Sequence, residues 1–257
     1  MKRATVIGWP IAQSKSPLIH SYWLREYGIK GNYDKQAVAP EALASFVGHA
    51  WQEGLAGFNA TLPHKEALMD WVEPDATAQA IGAINTVYRG PQGWLGTNTD
   101  GVGWWQSLGL SAAPRRALVL GAGGAARAIV HTLEVQGSQV TLANRTRARA
   151  QALGQRVIDW PGTEIDGRGY GLIVNTSTCG MNGDNALRFR QLDPGTIVSD
   201  LVYTPLETNL LQSARDLGGI PIDGLGMLLH QAAGGFEKWF GVRPQVTQAL
   251  RQAVLCR

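Results

Sequence analysis

The sequence predicts an α/β protein of two domains, and three observations lead to that prediction. Residues 117–120 form a short apolar run, followed at once by a glycine-rich turn and by a helix-like segment at residues 125–133. The first 95 residues alternate strand-like apolar runs with helical segments, as in a sheet covered by helices. The 257 residues have 44% hydrophobic content, which is enough for two cores of ordinary size.

The first half of the chain is predicted to contain strands near residues 4–8, 33–38, 57–60 and 83–89, and helices near residues 17–27 and 41–53. Ser16 followed by Pro17 is typical of a helix start, with serine as the N-cap and proline in the first turn. Ser14 and Ser16 therefore lie where a strand ends and a helix begins, a usual place for ligand-binding groups in α/β folds.

The second half is predicted to form a doubly wound parallel sheet, entered through a short linking helix at residues 101–105. Its strands are expected at residues 117–120, 139–143, 171–175, 196–200 and 220–223. Two further helices are expected beyond Gly224, at residues 227–240 and 244–255. The predicted domains are residues 1–100 together with 226–257, and residues 101–225.

The turn after residues 117–120 fits the dinucleotide-binding pattern G-x-G-x-x-G/A, with Gly121, Gly123 and Ala126. The first glycine makes the tight turn, the second lets the backbone approach a pyrophosphate, and the third position must be small for the helix to pack on the strand. N–H groups at the start of the next helix can then hold the pyrophosphate. Taken alone, the pattern also fits an ordinary tight turn or a flavin or S-adenosylmethionine site.

The strand at residues 139–143 ends in Asn144-Arg145-Thr146-Arg147-Ala148-Arg149, where a NAD-binding chain usually places an acidic residue against the adenosine ribose. Guanidinium groups can instead bind a 2′-phosphate through paired charged hydrogen bonds, so the sequence favours a Rossmann-type domain that binds NADP. The alternative is that the arginines form a solvated helix start, which the helix dipole slightly disfavours.

Composition argues against several classes of protein. The 23 Lys and Arg residues are dispersed and exceed the 20 Asp and Glu residues only slightly, so nucleic-acid binding is not expected. Two cysteines and five widely spaced histidines offer neither a disulfide framework nor a metal site. We see no signal peptide and no apolar run of membrane-spanning length. The expectation is a cytoplasmic protein, monomer or homodimer, that binds an anionic small molecule.

Three polar clusters in the first half are predicted to follow strands and are candidates for a substrate site: Ser14-Lys15-Ser16, residues 59–65, and Asn85-Thr86 with residues 98–100. Each combines hydroxyl or amide groups with one or two charges, which suits a polyhydroxylated substrate with an ionisable reacting centre. The alternative is that Asn and Ser only make turns and helix caps here.

Eight blocks, in this order and spacing, closely resemble the shikimate dehydrogenase family nearly from end to end. They are residues 8–11 with 14–17 and His20, residues 59–65, 80–86, 96–101, 121–126, 144–146, 200–205 and 226–233. The resemblance implies NADPH-dependent, reversible reduction of the C3 ketone of 3-dehydroshikimate to shikimate, an oxidoreductase step of aromatic amino-acid (chorismate) biosynthesis. It also implies that the C-terminal helices return to the first, substrate-binding domain.

The resemblance also implies roles for individual residues. Lys65 and Asp100 would form the catalytic pair. The substrate carboxylate would be held by Ser14 and Ser16, its hydroxyls by Asn59, Thr61, Asn85 and Gln231, and Tyr203 would lie at the mouth of the same site. NADP would be bound by Gly121, Ala122, Gly123, Gly124, Ala125 and Ala126, by Asn144, Arg145, Thr146 and Arg149 at the 2′-phosphate, and by Leu201 and Gly224.

Hydride transfer to a ketone makes an alkoxide, which a nearby cation or proton donor stabilises. Lys65 is the candidate for this role, with Asp100 orienting it; the alternative is an ordinary surface lysine after a proline turn. Because pairing with Asp100 favours the charged lysine, our hypothesis is that Lys65 acts mainly as an electrostatic stabiliser and donor. His20, His64 and His230 are interpreted as structural.

Rival interpretations predict other features. A quinate/shikimate dehydrogenase that prefers NAD would carry an acidic residue near position 144, and a silent NADP-binding paralogue would lack Lys65 or Asp100. A methylene-tetrahydrofolate-type dehydrogenase would need a pterin pocket, which hydroxyl-rich loops do not suggest. The short segment at residues 180–186 predicts a trimmed loop near the nicotinamide.

Overall fold

The structure is a computed structural model of the chain, and it describes residues 1–154, 156–181 and 185–256. Residues 182–184, in the segment expected to form a trimmed loop, lie outside the described residues. The chain divides into two compact units, one made of Met1–Gly103 with Leu228–Arg257 and the other of Trp104–Met227. Each unit combines a sheet with helices, which confirms the α/β prediction.

Strands and helices alternate along most of the described chain. The strands are β1 Lys2–Gly8, β2 Gly31–Ala37, β3 Gly57–Ala60, β4 Glu73–Pro74, β5 Thr86–Arg89, β6 Trp94–Thr97, β7 Arg116–Leu120, β8 Gln139–Ala143, β9 Arg156–Ile158, β10 Glu164–Asp166, β11 Leu172–Asn175, β12 Arg188–Gln191, β13 Ile197–Asp200 and β14 Ile220–Ile222. The helices are α1 Ser16–Glu26, α2 Leu43–Gln52, α3 His64–Ala67, α4 Ala76–Ile81, α5 Asp100–Leu108, α6 Gly124–Val135, α7 Arg147–Gln151, α8 Asn209–Asp216, α9 Gly224–Phe240 and α10 Gln248–Leu255. Short 3-10 turns lie at Pro40–Ala42 and Leu68–Asp70.

The sheet of the first unit is mixed, with the order β2-β1-β3-β5-β6-β4 among the strands that the structure describes. β1 is parallel to both β2 and β3, whereas β5 is antiparallel to both β3 and β6. The sequence predicted a strand at residues 83–89 and did not predict β4 or β6. β4 has only two residues and β6 contains Gly96, so neither carries a strand pattern, and pairing with neighbours decides that they form.

The C-terminal helices complete the core of the first unit, as predicted. Trp239 on α9 donates its indole N–H to the carbonyl oxygen of Val87 at 2.8 Å, and a β-carbon at Gly57 would lie 2.1 Å from that indole nitrogen. Glycine at position 57 therefore makes room for the ring. The helix predicted at residues 244–255 begins only at Gln248, because the Thr247 hydroxyl caps it by accepting the N–H of Leu250 at 3.2 Å.

The sheet of the second unit is parallel between every pair of neighbouring strands described, in the order β14-β13-β11-β7-β8-β9. The strand order reverses beside β7, as it does in doubly wound folds, so this prediction is confirmed. The five predicted strands differ from the observed ones by at most one residue at each end. Among the described residues, every helix is too short or too polar to span a lipid bilayer.

Candidate active site

Four strand ends of the first unit meet at one edge of its sheet. Because β1 and β3 are parallel, their carboxyl ends lie side by side. β5 runs the opposite way and pairs Thr86 with Asn59 at the end of β3 and with Thr97 at the end of β6. The Asn85-Thr86 cluster therefore precedes its strand. The prediction that this cluster follows a strand was wrong, and reversal of β5 is what brings it to the same edge.

Lys65 and Asp100 form an ion pair at this edge. Lys65 Nζ donates to Asp100 Oδ2 at 2.5 Å, and the two side chains are only 14% and 4% exposed. Lys65 is thus too buried to be an ordinary surface lysine, the alternative considered for it above. The start of α5 is fixed because Asn98 Oδ1 accepts the backbone N–H of Asp100 at 3.0 Å and Asn98 Nδ2 donates to the carbonyl oxygen of Ala83 at 2.8 Å. A pair with so little solvent needs further hydrogen bonds to stabilise the carboxylate.

Asn85 supplies one of those hydrogen bonds. Its Nδ2 donates to Asp100 Oδ1 at 2.7 Å, while its Oδ1 accepts the backbone N–H of Thr99 at 2.9 Å. Asn59 is bonded to the same segment, because its Nδ2 donates to the carbonyl oxygen of Asn85 at 3.1 Å. The phenol of Tyr33 in turn donates to Asn59 Oδ1 at 2.6 Å. The structure thus brings Asn59, Asn85 and the Lys65–Asp100 pair together.

Gln231 reaches this edge from α9. Its Nε2 donates to the carbonyl oxygen of Leu228 at 2.9 Å, and its Oε1 lies 3.5 Å from Asn85 Nδ2, a long contact. Two glycines allow the close approach: a β-carbon at Gly103 would lie 2.5 Å from the backbone nitrogen of Gln231, and one at Gly234 would lie 2.7 Å from Thr99 Cγ2. Small residues at both contact points therefore place Gln231 at the site.

The two serines lie at the beginning of α1. Ser14 Oγ accepts the backbone N–H of Ser16 at 3.3 Å, and Ser16 is buried. The N-cap is Lys15 rather than Ser16, so the prediction of a Ser16 cap was wrong by one residue: the helix already includes Ser16 as its first residue, and Ser14 supplies the side-chain acceptor. The Lys15 ammonium donates to the carbonyl oxygen of Val254 at the end of α10.

Thr61 lies at the adjoining end of β3. Its backbone N–H donates to the carbonyl oxygen of Ile7 at 2.9 Å, and a β-carbon at Gly8 would lie 2.6 Å from its methyl group. Thr61 thus packs across the ends of β1 and β3, on the same edge as Asn59.

His64 adjoins Lys65 but has a structural contact. Its ring Nε2 lies 2.8 Å from the carbonyl oxygen of Val38 and therefore donates to it, and the residue is buried. His20 lies inside an aromatic cluster, with its ring stacked on Tyr33 at 3.9 Å between centroids. Among the described residues, no group of three His, Cys, Asp or Glu side chains could hold a metal ion.

The glycine turn of the second unit leaves room for a dinucleotide. Gly121 has φ +114°, and a β-carbon there would lie 2.4 Å from Thr176 Oγ1, so only glycine fits without strain. Gly123 has ordinary extended backbone and open space where its side chain would be, directly before α6. Ala126 is fully buried against the sheet. This cradle at the N-terminus of α6 fits a pyrophosphate.

The segment after β8 presents basic and amide groups. Asn144 Nδ2 donates to the carbonyl oxygen of Thr146 at 2.9 Å, and the Arg145 guanidinium lies 3.4 Å from the Cys179 sulfur. Arg145 is exposed, whereas Arg147 is paired with Asp159. α7 begins at Arg147, so Arg147 and Arg149 lie at a helix start. For these two residues, the alternative of a helix start therefore applies. Because Asn144 and Arg145 precede that helix and residues 144–149 include no Asp or Glu, the segment fits a 2′-phosphate.

Asp200, the last residue of β13, holds the loop that follows this strand. Its buried carboxylate accepts hydrogen bonds from Asn175 Nδ2 at 2.9 Å, the backbone N–H of Val202 at 3.0 Å and Thr208 Oγ1 at 2.7 Å. Burial is the largest cause of a pKa raised to about 6, and the three hydrogen bonds oppose it. Next to it, a β-carbon at Gly224 would lie 2.4 Å from the carbonyl oxygen of Leu201, so these two predicted cofactor residues are in contact.

Replacing Asp200 with asparagine should flatten the dependence of stability on pH. Because the folded protein binds this proton more tightly than the unfolded chain, Asp200 favours folding at low pH. This contribution, up to about 3 kcal/mol, is lost as the pH rises from about 4 to about 6. Urea unfolding of Asp200→Asn between pH 4 and 7 should lack this decrease. The exposed Asp216→Asn variant should retain it, and an unchanged slope in Asp200→Asn would contradict the prediction.

Family models match most of the chain. Residues 6–87 match the shikimate dehydrogenase substrate binding domain, residues 106–163 match shikimate / quinate 5-dehydrogenase, and residues 224–255 match the shikimate 5′-dehydrogenase C-terminal domain. A curated shikimate dehydrogenase (NADP(+)) of Rhodopseudomonas palustris strain TIE-1 is 48% identical over 266 residues, which cover 98% of this chain and 96% of that protein. The chain belongs to the shikimate dehydrogenase family.

Solved structures related to this family member agree with the fold. A shikimate 5-dehydrogenase from Thermus thermophilus, in complex with NADP(H) and shikimate, has a TM-score of 0.90 at 34% identity, covering 100% of this chain and 99% of that one. A ligand-free 5-ketofructose reductase of Gluconobacter sp. strain CHM43 has a TM-score of 0.88 at 29% identity, covering 99% and 98%. The fold therefore also occurs in a protein named for another activity, so the substrate must be argued from the site.

Some residues of this family member were not recognised from the sequence. Tyr33 and Thr86 hydrogen-bond the predicted site residues, yet Tyr33 lies outside every motif block, and Thr86 was named in a candidate cluster without a role of its own. Only the tertiary contacts of the two residues reveal them. Tyr203 lies in the second unit, after β13, and its role at the substrate site stays a prediction.

Proposed function

We propose that this shikimate dehydrogenase family member catalyses the NADPH-dependent, reversible reduction of 3-dehydroshikimate to shikimate, in aromatic amino-acid biosynthesis. The nearly buried Lys65–Asp100 pair at a sheet edge that is otherwise lined by hydroxyl and amide groups carries this proposal. The high identity to NADP(+)-named shikimate dehydrogenases supports it.

The substrate is held by uncharged polar groups around that pair. Ser14 and Ser16, at the start of α1, are proposed to bind its carboxylate through their hydroxyls. The residues proposed to bind its hydroxyls are Asn59, Thr61, Asn85 and Gln231, with Tyr203 at the mouth. Each hydroxyl of a buried polyol needs a donor or acceptor, and amides supply both, which is the support for this assignment.

Bound NADPH supplies the hydride that reduces the C3 ketone. Lys65 donates a hydrogen bond to the ketone oxygen, stabilises the negative charge that develops there, and transfers a proton to it. Asp100 holds the ammonium in place through the 2.5 Å contact. In the reverse direction, Lys65 accepts the proton of the C3 hydroxyl.

NADP is proposed to bind the second unit through residues 121–126 at its pyrophosphate, through Asn144, Arg145, Thr146 and Arg149 at its 2′-phosphate, and through Leu201 and Gly224. The open space over Gly123 and the basic segment after β8 support this proposal.

We further propose that residues 1–100 with 226–257 bind the substrate and that residues 101–225 bind NADP. The protein is proposed to act in the cytoplasm as a monomer or homodimer. Support for the compartment comes from Cys179 and Cys256, which are free thiols.

Oxidation assays with shikimate or quinate, each with NADP or NAD, test the proposed function. We expect shikimate with NADP to give turnover at least tenfold above the other three combinations, since Asn144 and Arg145 replace the acidic residue of NAD-binding chains. A fifth assay with 5-ketofructose and NADPH tests the activity named for the Gluconobacter relative. Preference for quinate, NAD or 5-ketofructose would contradict the proposal, as would inactivity in every assay.

A further inference from the structure

Backbone groups fix the orientation of two side-chain amides at the proposed site. The nitrogen of Asn59, Nδ2, lies 3.1 Å from the carbonyl oxygen of Asn85, which can only accept a hydrogen bond. The backbone N–H of Thr99 lies 2.9 Å from Asn85 Oδ1 and can only donate. The oxygen and nitrogen of both amides are therefore assigned without reference to any hydroxyl group.

With the amides fixed, the donor in the shortest contact of each neighbouring hydroxyl group can be assigned. The other contact of the Thr86 hydroxyl, with Thr99 Oγ1 at 3.3 Å, is longer. Tyr33 lies 2.6 Å from Asn59 Oδ1 and must donate to it. Thr86 Oγ1 accepts from Asn59 Nδ2 at 3.1 Å and donates to Asn85 Oδ1 at 2.8 Å. Asn85 Nδ2 then donates to Asp100 Oδ1 at 2.7 Å. The result is a hydrogen-bond chain, Tyr33 to Asn59 to Thr86 to Asn85 to Asp100, in which every bond is donated toward the carboxylate.

All five members of this hydrogen-bond chain are buried. At low local dielectric, hydrogen bonds donated in the same direction polarise one another, so the last donor in the series is strengthened. That donor holds Asp100 Oδ1, which leaves Oδ2 to Lys65. The hydrogen-bond chain therefore fixes the plane of the Asp100 carboxylate and, through that carboxylate, the position of the Lys65 ammonium.

We propose that Tyr33 and Thr86 are positioning residues for the Lys65–Asp100 pair, acting on it through the two asparagines. This inference rests on the function proposed above. Neither residue needs to touch the substrate, because the effect of each reaches the reacting atoms through Asp100.

The surroundings of Tyr33 keep it a donor. Burial is the largest cause of a pKa raised well above the usual value for its phenol, with the charge of Asp34 adding to it. Its ring stacks on His20 at 3.9 Å between centroids, and burial lowers the pKa of His20 to about 3. The imidazole is thus neutral, and no hydrogen-bond partner for its ring nitrogens is found in the described part of the chain. The His20 ring therefore supports the Tyr33 ring by stacking alone.

Substitutions at Thr86 test the proposal. Thr86→Val replaces the hydroxyl with a methyl group of similar size and should lower kcat with shikimate and NADP at least tenfold, with KM for shikimate within threefold of wild type. Thr86→Ser keeps the hydroxyl and should stay within threefold of wild type in both. Tyr33→Phe keeps the ring stacked on His20 and should lower kcat about threefold or more. Thr5→Val is the matched control, because Thr5 is buried in β1 with no hydrogen-bond partner for its hydroxyl in the described residues.

Several results would overturn the proposal: wild-type kcat in Thr86→Val, equal losses in the serine and valine variants, or a rise in KM that accounts for the whole loss. If Thr86→Val does not fold, wild-type kcat in Tyr33→Phe would overturn it. If the wild-type protein is inactive on shikimate, the proposed function fails, and a crystal structure of Tyr33→Phe decides the geometric claim. In that structure, rotation of the Asp100 carboxylate away from Lys65 would support the positioning role of the hydrogen-bond chain. An unchanged carboxylate would overturn that role.

Discussion

Replacing Lys65 with methionine should reduce kcat for shikimate oxidation at least 100-fold while KM for shikimate stays within about threefold of wild type. Methionine keeps the apolar stem of the side chain but removes the ammonium that lies 2.5 Å from Asp100. The lost interaction is one that strengthens as charge develops on the substrate oxygen, so turnover should suffer more than binding. Steady-state kinetics with varied shikimate at saturating NADP measures both constants.

Lys30→Met is the matched control, because Lys30 is an exposed lysine of the same unit. It should behave as wild type. A Lys65→Met variant that loses as much in KM as in kcat would show that Lys65 binds the substrate in its ground state and would argue against the proposed role.

The two glycines of the dinucleotide turn should respond differently to alanine. Gly121→Ala places a β-carbon at φ +114° and 2.4 Å from Thr176 Oγ1, so it should destabilise the protein by about 1–3 kcal/mol and abolish tight NADPH binding. Gly123→Ala adds a methyl group into open space on ordinary backbone. Its unfolding free energy should stay within about 0.5 kcal/mol of wild type, while its Kd for NADPH should rise at least tenfold.

Urea unfolding and fluorescence titration with NADPH separate these two effects. Each variant serves as the control for the other, since both carry the same added methyl group two residues apart. Wild-type NADPH affinity in Gly123→Ala would mean that the pyrophosphate does not lie over this turn. Equal destabilisation of both variants would mean that the strain assigned to Gly121 is absent.

Five of the six strands described for the second sheet could be predicted from the sequence, and only β9, at one end of the strand order, was not predicted. Its central strands are buried on both faces, so they appear as continuous apolar runs such as that of β7. The first sheet was harder, because β4 and β6 are short and β5 is reversed. Whether a strand runs forward or backward depends on its partners, and no local pattern near residues 83–89 records that choice.

The candidate site was predictable where its residues stand in contiguous motifs and not elsewhere. The blocks around Lys65 and Asp100 identified the ion pair that the structure shows. Tyr33 lies on β2, whose other residues are mostly exposed, and a single buried aromatic there resembles ordinary core packing. Its hydrogen bond to Asn59 depends on the parallel pairing of β1 with both β2 and β3, which is a tertiary property.

The ring of Trp239 over Gly57 has a consequence for the order in which the protein can form. The second unit, Trp104–Met227, is continuous in sequence, so all of its strands are synthesised before Trp239 of α9. The first unit cannot fill the space beside β3 until residues of α9 have emerged. During translation, the core of the unit whose synthesis starts first is therefore completed only after α9 has been made, later than the strands of the second unit.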